Sequence, residues 1–433
     1  MNDQPEVTRA SSVIPDIRVP TLWTLAGLIA GLVLGIVFNN TAGDAAPTGL
    51  AGALLLLAEL VGTWWLSALQ MTIVPLVASL LVIGIVQTLA AAKAGRIAVT
   101  ALASFAVVLT CGTVFAAFAM PALLNAVPIP AVAAAALRGG LAAVEPAQVP
   151  AIKDFLGSLI PSNIIAASAA NAMLGVIVFF SLFAVAMARL PVVHRQALTT
   201  LFEGITGAML VIVGWVLWLA PVGVFALSLQ VAGQSGTAVL GALMHYILSV
   251  ASMGGVVLVA AYGVAVLVAR QPLAKFARAV IPAQTMAIST QSSLASLPTM
   301  LIGCRTLGLR DNTGEFVLPL AVALFRATGP VMNLAVAIYV AKLSGIELTP
   351  AMLVVGVLVA LATTIGSVSL PGSISFVTAV GPIAMAMGVP VAPLGLLVAV
   401  EILPDLMRTL GNVTMDVAVT AAVDRREEMV TSP

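Results

Sequence analysis

One stretch decides how this sequence folds: residues 401–416 have the sequence EILPDLMRTLGNVTMD. Five polar or charged side chains follow one another there in steps of four, three, four and four residues, namely Glu401, Asp405, Arg408, Asn412 and Asp416. At about 3.6 residues per turn these five share one face of a helix, and the other faces carry Leu, Met, Val and Ala. An ionisable side chain at mid-bilayer costs about 2.5–3.5 kcal/mol. If this helix spans a membrane, its charged face must therefore contact protein, water or ligand.

The composition supports a membrane setting. Of the 433 residues, 61% are hydrophobic and only 8% are charged, whereas soluble domains carry roughly 25% charged residues. This excludes a soluble globular or disordered chain. The net charge of +1 gives no basic field for nucleic acid, and Cys111 and Cys304 lie far apart in apolar sequence. With no metal spacing, nucleophile–base pair or phosphate loop, we expect neither an enzyme nor a cofactor, and the predicted class is an all-α polytopic membrane protein.

Apolar runs long enough for a span of about 20 residues predict eight transmembrane helices. The runs are Thr21–Phe38, Leu50–Ala91, Ile97–Leu124, Ile160–Met187, Leu198–Ala232, Thr237–Ala269, Phe316–Ala341 and Leu394–Val419. Two further stretches, Leu273–Ile302 and Ala351–Met387, are broken by polar elbows that both contain Ser-Leu-Pro. Paired interruptions of this kind indicate a transporter binding site, so each stretch is predicted to be a re-entrant helical hairpin. Two proline-kinked helices are the alternative.

The placement of lysine and arginine predicts cytoplasmic N- and C-termini by the positive-inside rule. The expected organisation has nine parts. These are a cytoplasmic segment 1–18, the first three spans 19–124, an external loop 125–158, spans four to six 159–269, the first hairpin 270–312, the seventh span 313–345, the second hairpin 346–390, the eighth span 391–423 and a cytoplasmic tail 424–433.

The charged face predicts an anion site. A fixed guanidinium such as Arg408 binds a carboxylate through two parallel hydrogen bonds, and Asp405 would suit the ammonium group of an acidic amino acid. An internal ion-pair ladder that only holds helices together is the structural alternative. An aspartyl protease is a poor interpretation, because Asp405 and Asp416 lie three turns apart, roughly 16 Å, and a catalytic pair must share one proton.

The pattern Asp405-x-x-Arg408-Thr409-x-x-Asn412-Val-Thr-x-Asp416 resembles the last span of the dicarboxylate/amino acid:cation symporter family, the glutamate-transporter type. Three other stretches carry the same resemblance: Ser292-Ser293-Leu-Ala-Ser-Leu-Pro-Thr-Met300, Leu219-Ala-Pro-Val-Gly-Val-Phe-Ala-Leu227 and Phe316-Val-Leu-Pro-Leu320. The resemblance runs from the first span to the end. It implies a homotrimer in which an elevator-type transport domain, with both hairpins and the last two spans, moves against a scaffold domain.

The resemblance also implies roles for individual residues. Arg408 would hold the side-chain carboxylate of the substrate, Asp405 its amino group, and Asn412 with Ser292 and Ser293 its α-carboxylate region. The tip from Gly366 to Gly372 would cover the site from outside, and Asp416 would be a cation ligand. The other expected substrate-site residues are Thr409, Thr328, Gly329 and Ser367.

This sequence departs from the family where sodium binds. The family motif Asn-Met-Asp-Gly-Thr in the seventh span is here Phe325-Arg326-Ala327-Thr328-Gly329. A tyrosine and a Thr-Ser pair of the third span become Phe105 and Val108-Leu109, and the arginine beside the first-tip serines becomes Gln291. Our hypothesis is that Arg326 replaces a bound sodium, pairs with Asp416 and reaches Glu401. A purely structural arginine is the alternative.

The expected function is therefore symport of an acidic amino acid or C4 dicarboxylate in a bacterial-type plasma membrane. H⁺ is favoured over Na⁺ as the coupling ion, with Glu401, Asp416 and Arg326 as the coupling residues. The alternatives are an uncoupled exchanger, an anion-conducting channel on the same scaffold, or a relative that binds ligand without transporting it. The expected partners are a small anionic substrate, the lipid bilayer and two further copies of the chain.

Overall fold

The structure is a computed structural model that describes residues 20–42, 49–131, 134–135, 160–366 and 372–431. These residues form helices and turns and contain no β-strand. The α-helices are α1 Thr21–Ala42, α2 Gly49–Gln70, α3 Ile73–Ala91, α4 Arg96–Ala126, α5 Ile164–Ala169, α6 Met173–Met187, α7 Val192–Trp218, α8 Ala220–Ser235, α9 Ala238–Gly263, α10 Leu273–Thr290, α11 Leu297–Leu307, α12 Asp311–Leu324, α13 Thr328–Leu343, α14 Pro350–Gly366, α15 Gly372–Ala386, α16 Ala392–Leu397 and α17 Ile402–Thr431.

Within these residues, six helical segments are long and apolar enough to cross a membrane: Leu22–Thr41, Gly49–Ala94, Arg96–Ala126, Val192–Trp218, Ala238–Val268 and Asp311–Leu343. They coincide with six of the eight predicted spans. The predicted fourth span contains the shorter apolar helix α6. The predicted eighth span covers the first part of α17, whose buried charged residues set it apart from the apolar segments. The count of eight spans stays a prediction.

Several long apolar runs are divided by helix breaks. The predicted second span is two helices, α2 and α3, which meet at Met71 and Thr72. The predicted fifth span divides at Leu219, two residues before Pro221, which lacks the backbone N–H that a continuous helix needs. A run longer than one bilayer thickness must tilt, kink or break, and these two runs break.

The two interrupted stretches fold back on themselves. In the first, Lys275 Nζ of α10 donates a hydrogen bond to Leu307 O at the end of α11, at 2.6 Å. In the second, α14 and α15 pack together, and Gly356 of α14 lies close to Met387, just after α15. Their entry into the membrane from one side stays a prediction.

Close packing surrounds α17. This helix packs against α9, α10 and α12. A Cβ atom on Gly411 would lie 2.6 Å from Thr328 Cγ2, at the start of α13, so only glycine allows α17 to approach so closely at this point. Elsewhere α1 packs along α8, and a Cβ on Gly31 would lie 2.1 Å from Ser228 Oγ.

The C-terminal end of α17 is held by ion pairs. Arg96 Nη2 lies 2.7 Å from Glu427 Oε2, and Arg310 Nε lies 2.8 Å from Asp424 Oδ1. The hydrogen bond from Arg96 lowers the pKa of Glu427 below its usual range. Helix α17 continues as far as Thr431, into the part of the chain that is predicted to be a cytoplasmic tail from residue 424.

Candidate anion-binding site

The predicted charged face of α17 is buried inside the protein. Glu401, Asp405, Arg408, Asn412 and Asp416 are each at most 5% exposed. Glu401 lies in the turn just before α17, and its carbonyl oxygen accepts a hydrogen bond from the Asp405 N–H at 2.8 Å. The neighbours α9, α10, α12 and α13 pack against the same helix. The face therefore contacts protein, as the cost of exposing charge to lipid requires.

Arg408 is the centre of this buried group. Its Nη2 donates a hydrogen bond to Glu401 Oε1, and its Nε lies 3.2 Å from Asp405 Oδ1. Its Nη1 donates to Asn333 Oδ1 of α13 at 2.6 Å, and Tyr246 of α9 donates to the second oxygen of Glu401 at 2.8 Å. We call these five residues the Arg408 cluster. With both carboxyl groups ionised, its net charge is −1.

Asn412 connects α17 to the start of α13. Its Oδ1 accepts a hydrogen bond from the Thr328 N–H at 2.9 Å and lies 2.8 Å from Thr328 Oγ1. The Thr328 hydroxyl also lies 3.0 Å from Arg408 O, so its single proton bonds one of the two oxygens at a time. The Thr409 hydroxyl donates to Asp405 O on its own helix at 3.0 Å. These hydrogen bonds hold the backbone around Arg408 in place.

Arg326 occupies the break between α12 and α13. Its φ of +40° is left-handed, which is unfavourable for a side chain other than glycine. The charge of Arg326 interacts with those of Arg408, Asp405 and Asp416. Glu401 accepts hydrogen bonds from Arg408 and Tyr246, and a contact of Arg326 with Glu401 stays a prediction. The pairing of Arg326 with Asp416 stays a prediction.

The surroundings of Asp416 are poor in polar partners. Asp416 is 1% exposed, and its Oδ1 has no hydrogen-bond partner among the described residues. Nearer the start of α13, the rings of Phe105 and Phe325 stack with their centroids 4.5 Å apart. Carbon therefore fills the positions where the resemblance would place two of the polar groups around sodium. Within the described ranges, no group of three or more His, Cys, Asp or Glu side chains could hold a metal ion.

The described hydrogen bonds of the first predicted tip lie within the tip itself. Ser292 and Ser293 are partly buried, and the described bonds of Ser292 run to Ala295 and Ser296 within the tip. Gly366 ends α14 and Gly372 begins α15, whereas Ser367 lies outside the described residues. Gly329 of α13 faces Thr364 near the end of α14. The structure thus places α14 beside the start of α13.

Sequence reasoning missed Asn333 and Tyr246. Both side chains are buried and touch the cluster from helices distant in the chain. Asn333 is the uncharged polar side chain in the otherwise apolar run Val331–Ala337. That isolated amide was the available signal, because a polar group at membrane depth needs a partner.

Together, the apolar helices and the buried guanidinium among acidic groups define a polytopic membrane protein with an internal polar site. The sequence model described as "Sodium:dicarboxylate symporter family" matches residues 21–426, nearly the whole chain. The chain belongs to this family, which confirms the resemblance. It is an integral membrane transporter of the dicarboxylate/glutamate symporter type.

Individual relatives differ in the substrate that their names give. The proton/glutamate-aspartate symporter of Escherichia coli (strain K12) is 28% identical over 358 residues, which cover 81% of each chain. The C4-dicarboxylate transport protein of Anaeromyxobacter sp. (strain K) is 27% identical over 94% of this chain and 89% of its own. The neutral amino acid transporter B(0) of Oryctolagus cuniculus is 28% identical over 95% and 82%. Similarity alone therefore does not select a substrate.

Proposed function

We propose that this protein is a secondary active symporter for an acidic amino acid or a C4 dicarboxylate, with H⁺ favoured over Na⁺ as the coupling ion. The observation that carries the proposal is a guanidinium, that of Arg408, which is 3% exposed and surrounded by acidic and amide groups. Such a group recognises a carboxylate by two parallel charge-assisted hydrogen bonds. Relatives named for glutamate, aspartate and C4 dicarboxylates agree with an anionic substrate.

Charge complementarity favours the amino acid. Asp405 lies beside Arg408 and gives the site a negative group 3.2 Å from the guanidinium. An amino acid offers an ammonium group to Asp405 and a carboxylate to Arg408, whereas a plain dicarboxylate offers only negative charge. The remaining substrate contacts would come from the α13 start with Thr328 and Gly329, the first tip with Ser292 and Ser293, the second tip with Gly366, Ser367 and Gly372, and from Thr409 and Asn412 of α17.

The groups at the α12–α13 break and the buried Asp416 favour H⁺ over Na⁺ as the coupling ion. Sodium needs a closed set of oxygen ligands, and the stacked rings of Phe105 and Phe325 supply none. A permanent positive charge on Arg326 repels a second cation in a low-dielectric interior. The buried Asp416 oxygen without a hydrogen-bond partner suits a proton. On this proposal Arg326 takes the place of a sodium ion through its charge, and Asp416 and Glu401 are the candidate proton carriers.

The wider assembly follows the family resemblance. We propose a homotrimer in a bacterial plasma membrane, with an elevator-type movement of the part that contains α10–α17. An ion-pair ladder without ligand, an anion channel and an uncoupled exchanger are the competing functions.

Calorimetric titration of the purified protein with L-aspartate, L-glutamate, succinate and L-malate tests the proposal. Each titration is run in choline chloride and again in sodium chloride. We expect saturable binding of at least one acid, and an affinity that changes less than about tenfold between the two salts. Binding of none of the four acids would contradict the function. Tightening by sodium of tenfold or more would contradict the replacement of sodium by Arg326.

A further inference from the structure

We propose that Glu401 is an internal substitute for the substrate carboxylate. Its own carboxylate binds Arg408 and withdraws only when Glu401 takes up a proton. This inference rests on the proposed function and assigns the exchange step to one pair of side chains, Glu401 and Tyr246. Substrate binding and proton uptake are then a single event, with one proton taken up for each carboxylate that binds Arg408.

The guanidinium of Arg408 is already engaged by groups of the protein. An arginine binds a carboxylate bidentately at one of two edges, Nε with Nη2 or Nη1 with Nη2, so Nη2 belongs to both. In this structure Nη2 of Arg408 donates to Glu401, Nε faces Asp405 at 3.2 Å and Nη1 donates to Asn333 at 2.6 Å. Each edge thus has at least one nitrogen that already faces a protein oxygen, so a second carboxylate binds bidentately only by displacing one of these groups.

The net charge of the buried side chains also favours proton uptake with the substrate. Glu401, Asp405 and Arg408 together carry a charge of −1 when ionised, inside a region where each is at most 5% exposed. A substrate carboxylate would add a further negative charge at short range, where buried like charges repel strongly. One proton on Glu401 restores the original balance. Asp405 is the less suitable acceptor, because the proposed function assigns its charge to the substrate ammonium.

Glu401 has a second hydrogen-bond partner besides Arg408. Tyr246 donates to the other carboxylate oxygen at 2.8 Å. A phenol also accepts a hydrogen bond, so a protonated Glu401 can turn its O–H toward Tyr246 and remain satisfied. Glu401 lies in the turn before α17, where it can withdraw from Arg408 without deforming a helix.

The charged and titratable groups that face Glu401 come from three directions. Arg408 and Asp405 lie on α17, Tyr246 on α9, and Tyr339 on α13, whose ring meets that of Tyr246 edge-on at 5.3 Å. Behind them, His245 Nδ1 lies 3.2 Å from the Tyr339 hydroxyl. Arg408 holds the ionised form of Glu401 in place, and the incoming substrate carboxylate competes for that same cation.

The proton balance is simple. Glu401 takes one proton from the water on the side from which the substrate enters, and one O–H bond forms. When the substrate leaves on the other side, Glu401 returns the proton to water there and re-forms its ion pair with Arg408. The only bond made or broken is this O–H bond.

The test is calorimetric titration of the full-length protein with L-aspartate, and with succinate as a second probe, in buffers of different ionisation enthalpy. This measures the protons taken up per ligand. For the wild type we expect uptake approaching one proton at alkaline pH, and an affinity that falls about tenfold per pH unit there. For Glu401→Gln we expect no uptake by this route, a nearly flat pH profile and tighter binding than the wild type at alkaline pH.

Two further variants keep the test decisive. If Glu401→Gln does not fold, Tyr246→Phe removes one donor to the carboxylate, so protonation occurs more readily and the decline in affinity moves to higher pH. Glu59→Gln, a matched change on α2 outside the Arg408 cluster, should keep the wild-type profile. Wild-type binding without proton uptake, wild-type uptake in Glu401→Gln, or an unmoved profile in Tyr246→Phe would each overturn the proposal. A wild type that binds none of the acids would instead contradict the proposed function itself.

Discussion

Two parts of the same helix face differ sharply in how their charges are satisfied. In the Arg408 cluster at the start of α17, the guanidinium, the Glu401 carboxylate and the Asn333 amide oxygen all have partners within hydrogen-bond distance. Two turns further along from Arg408, Asp416 is equally buried but has one oxygen without a hydrogen-bond partner among the described residues. Stacked aromatic rings lie at the α12–α13 break, where the resemblance places polar groups.

The difference separates two chemical tasks. A satisfied network of acceptors around one cation holds its geometry and exchanges one anion for another. A buried carboxyl oxygen without a partner costs free energy unless it is protonated or meets a cation. We therefore assign anion recognition, with the proton that Glu401 takes up, to the Arg408 cluster, and the response to a cation to the surroundings of Asp416.

The largest effect is expected at Arg408. Arg408→Met removes the cation and leaves Glu401 and Asp405 as buried charges without a cationic partner. Breaking a buried ion pair in this way typically destabilises a protein by about 3–5 kcal/mol. We expect the affinity for L-aspartate to fall by at least about 100-fold in calorimetric titration. Arg408→Lys, which keeps the charge but loses the planar fork, should lose about tenfold.

Arg305→Met is the matched control for this prediction. Arg305 pairs with Asp311 and Glu315, and all three side chains are more than half exposed. Exposed pairs contribute little, so this variant should bind like the wild type. Wild-type affinity in a folded Arg408→Met protein would contradict the assignment.

The next effect concerns Asp405 and distinguishes the two substrate classes. Asp405→Asn keeps the shape of the side chain but cannot neutralise an ammonium group. We expect the affinity for L-aspartate to fall about tenfold while that for succinate stays within about twofold, because a charged hydrogen bond is worth about 1.5–3 kcal/mol. The ratio of the two affinities is the readout, since general damage lowers both. An equal fall for the two ligands would show that Asp405 does not hold the ammonium.

A smaller effect is expected at Arg326. Arg326→Met removes the positive charge that interacts with Asp416, so sodium should gain access and tighten L-aspartate binding by about threefold or more. The melting temperature should fall by a few degrees. Arg270→Met provides the control, because Arg270 also has a left-handed backbone, with φ of +53°, but is exposed. If Arg326→Met changes neither the melting temperature nor the response to sodium, Arg326 does not have the proposed role.

The smallest effect lies at the end of α17, in the ion pair between Arg96 and Glu427. The Arg96 side chain is 52% exposed, so Glu427→Gln should cost only roughly 0.5 kcal/mol at neutral pH. The pKa of Glu427 is lowered by the bond from Arg96, so its contribution is complete above the usual glutamate pKa and is lost as pH falls through the lowered value. Melting temperatures of the two proteins should converge at acid pH. A gap that persists or widens there would contradict this sign.

The sequence predicted the helical class and the shared polar face of α17, because these depend on composition and local spacing. The re-entrant hairpins stay a prediction, although the two helices of each interrupted stretch pack together. It did not predict Tyr246 and Asn333, which reach Arg408 from α9 and α13. Their positions depend on how helices distant in the chain pack.

Counterflow in proteoliposomes tests the central claim most directly. Vesicles that contain the purified protein are loaded with unlabelled L-aspartate and diluted into labelled L-aspartate, with pH and salt equal on both sides. The wild type should accumulate label transiently and saturably, whereas Arg408→Met should accumulate no more than protein-free vesicles. Accumulation by Arg408→Met equal to that of the wild type would contradict the account, and so would a wild type that binds L-aspartate but shows no counterflow.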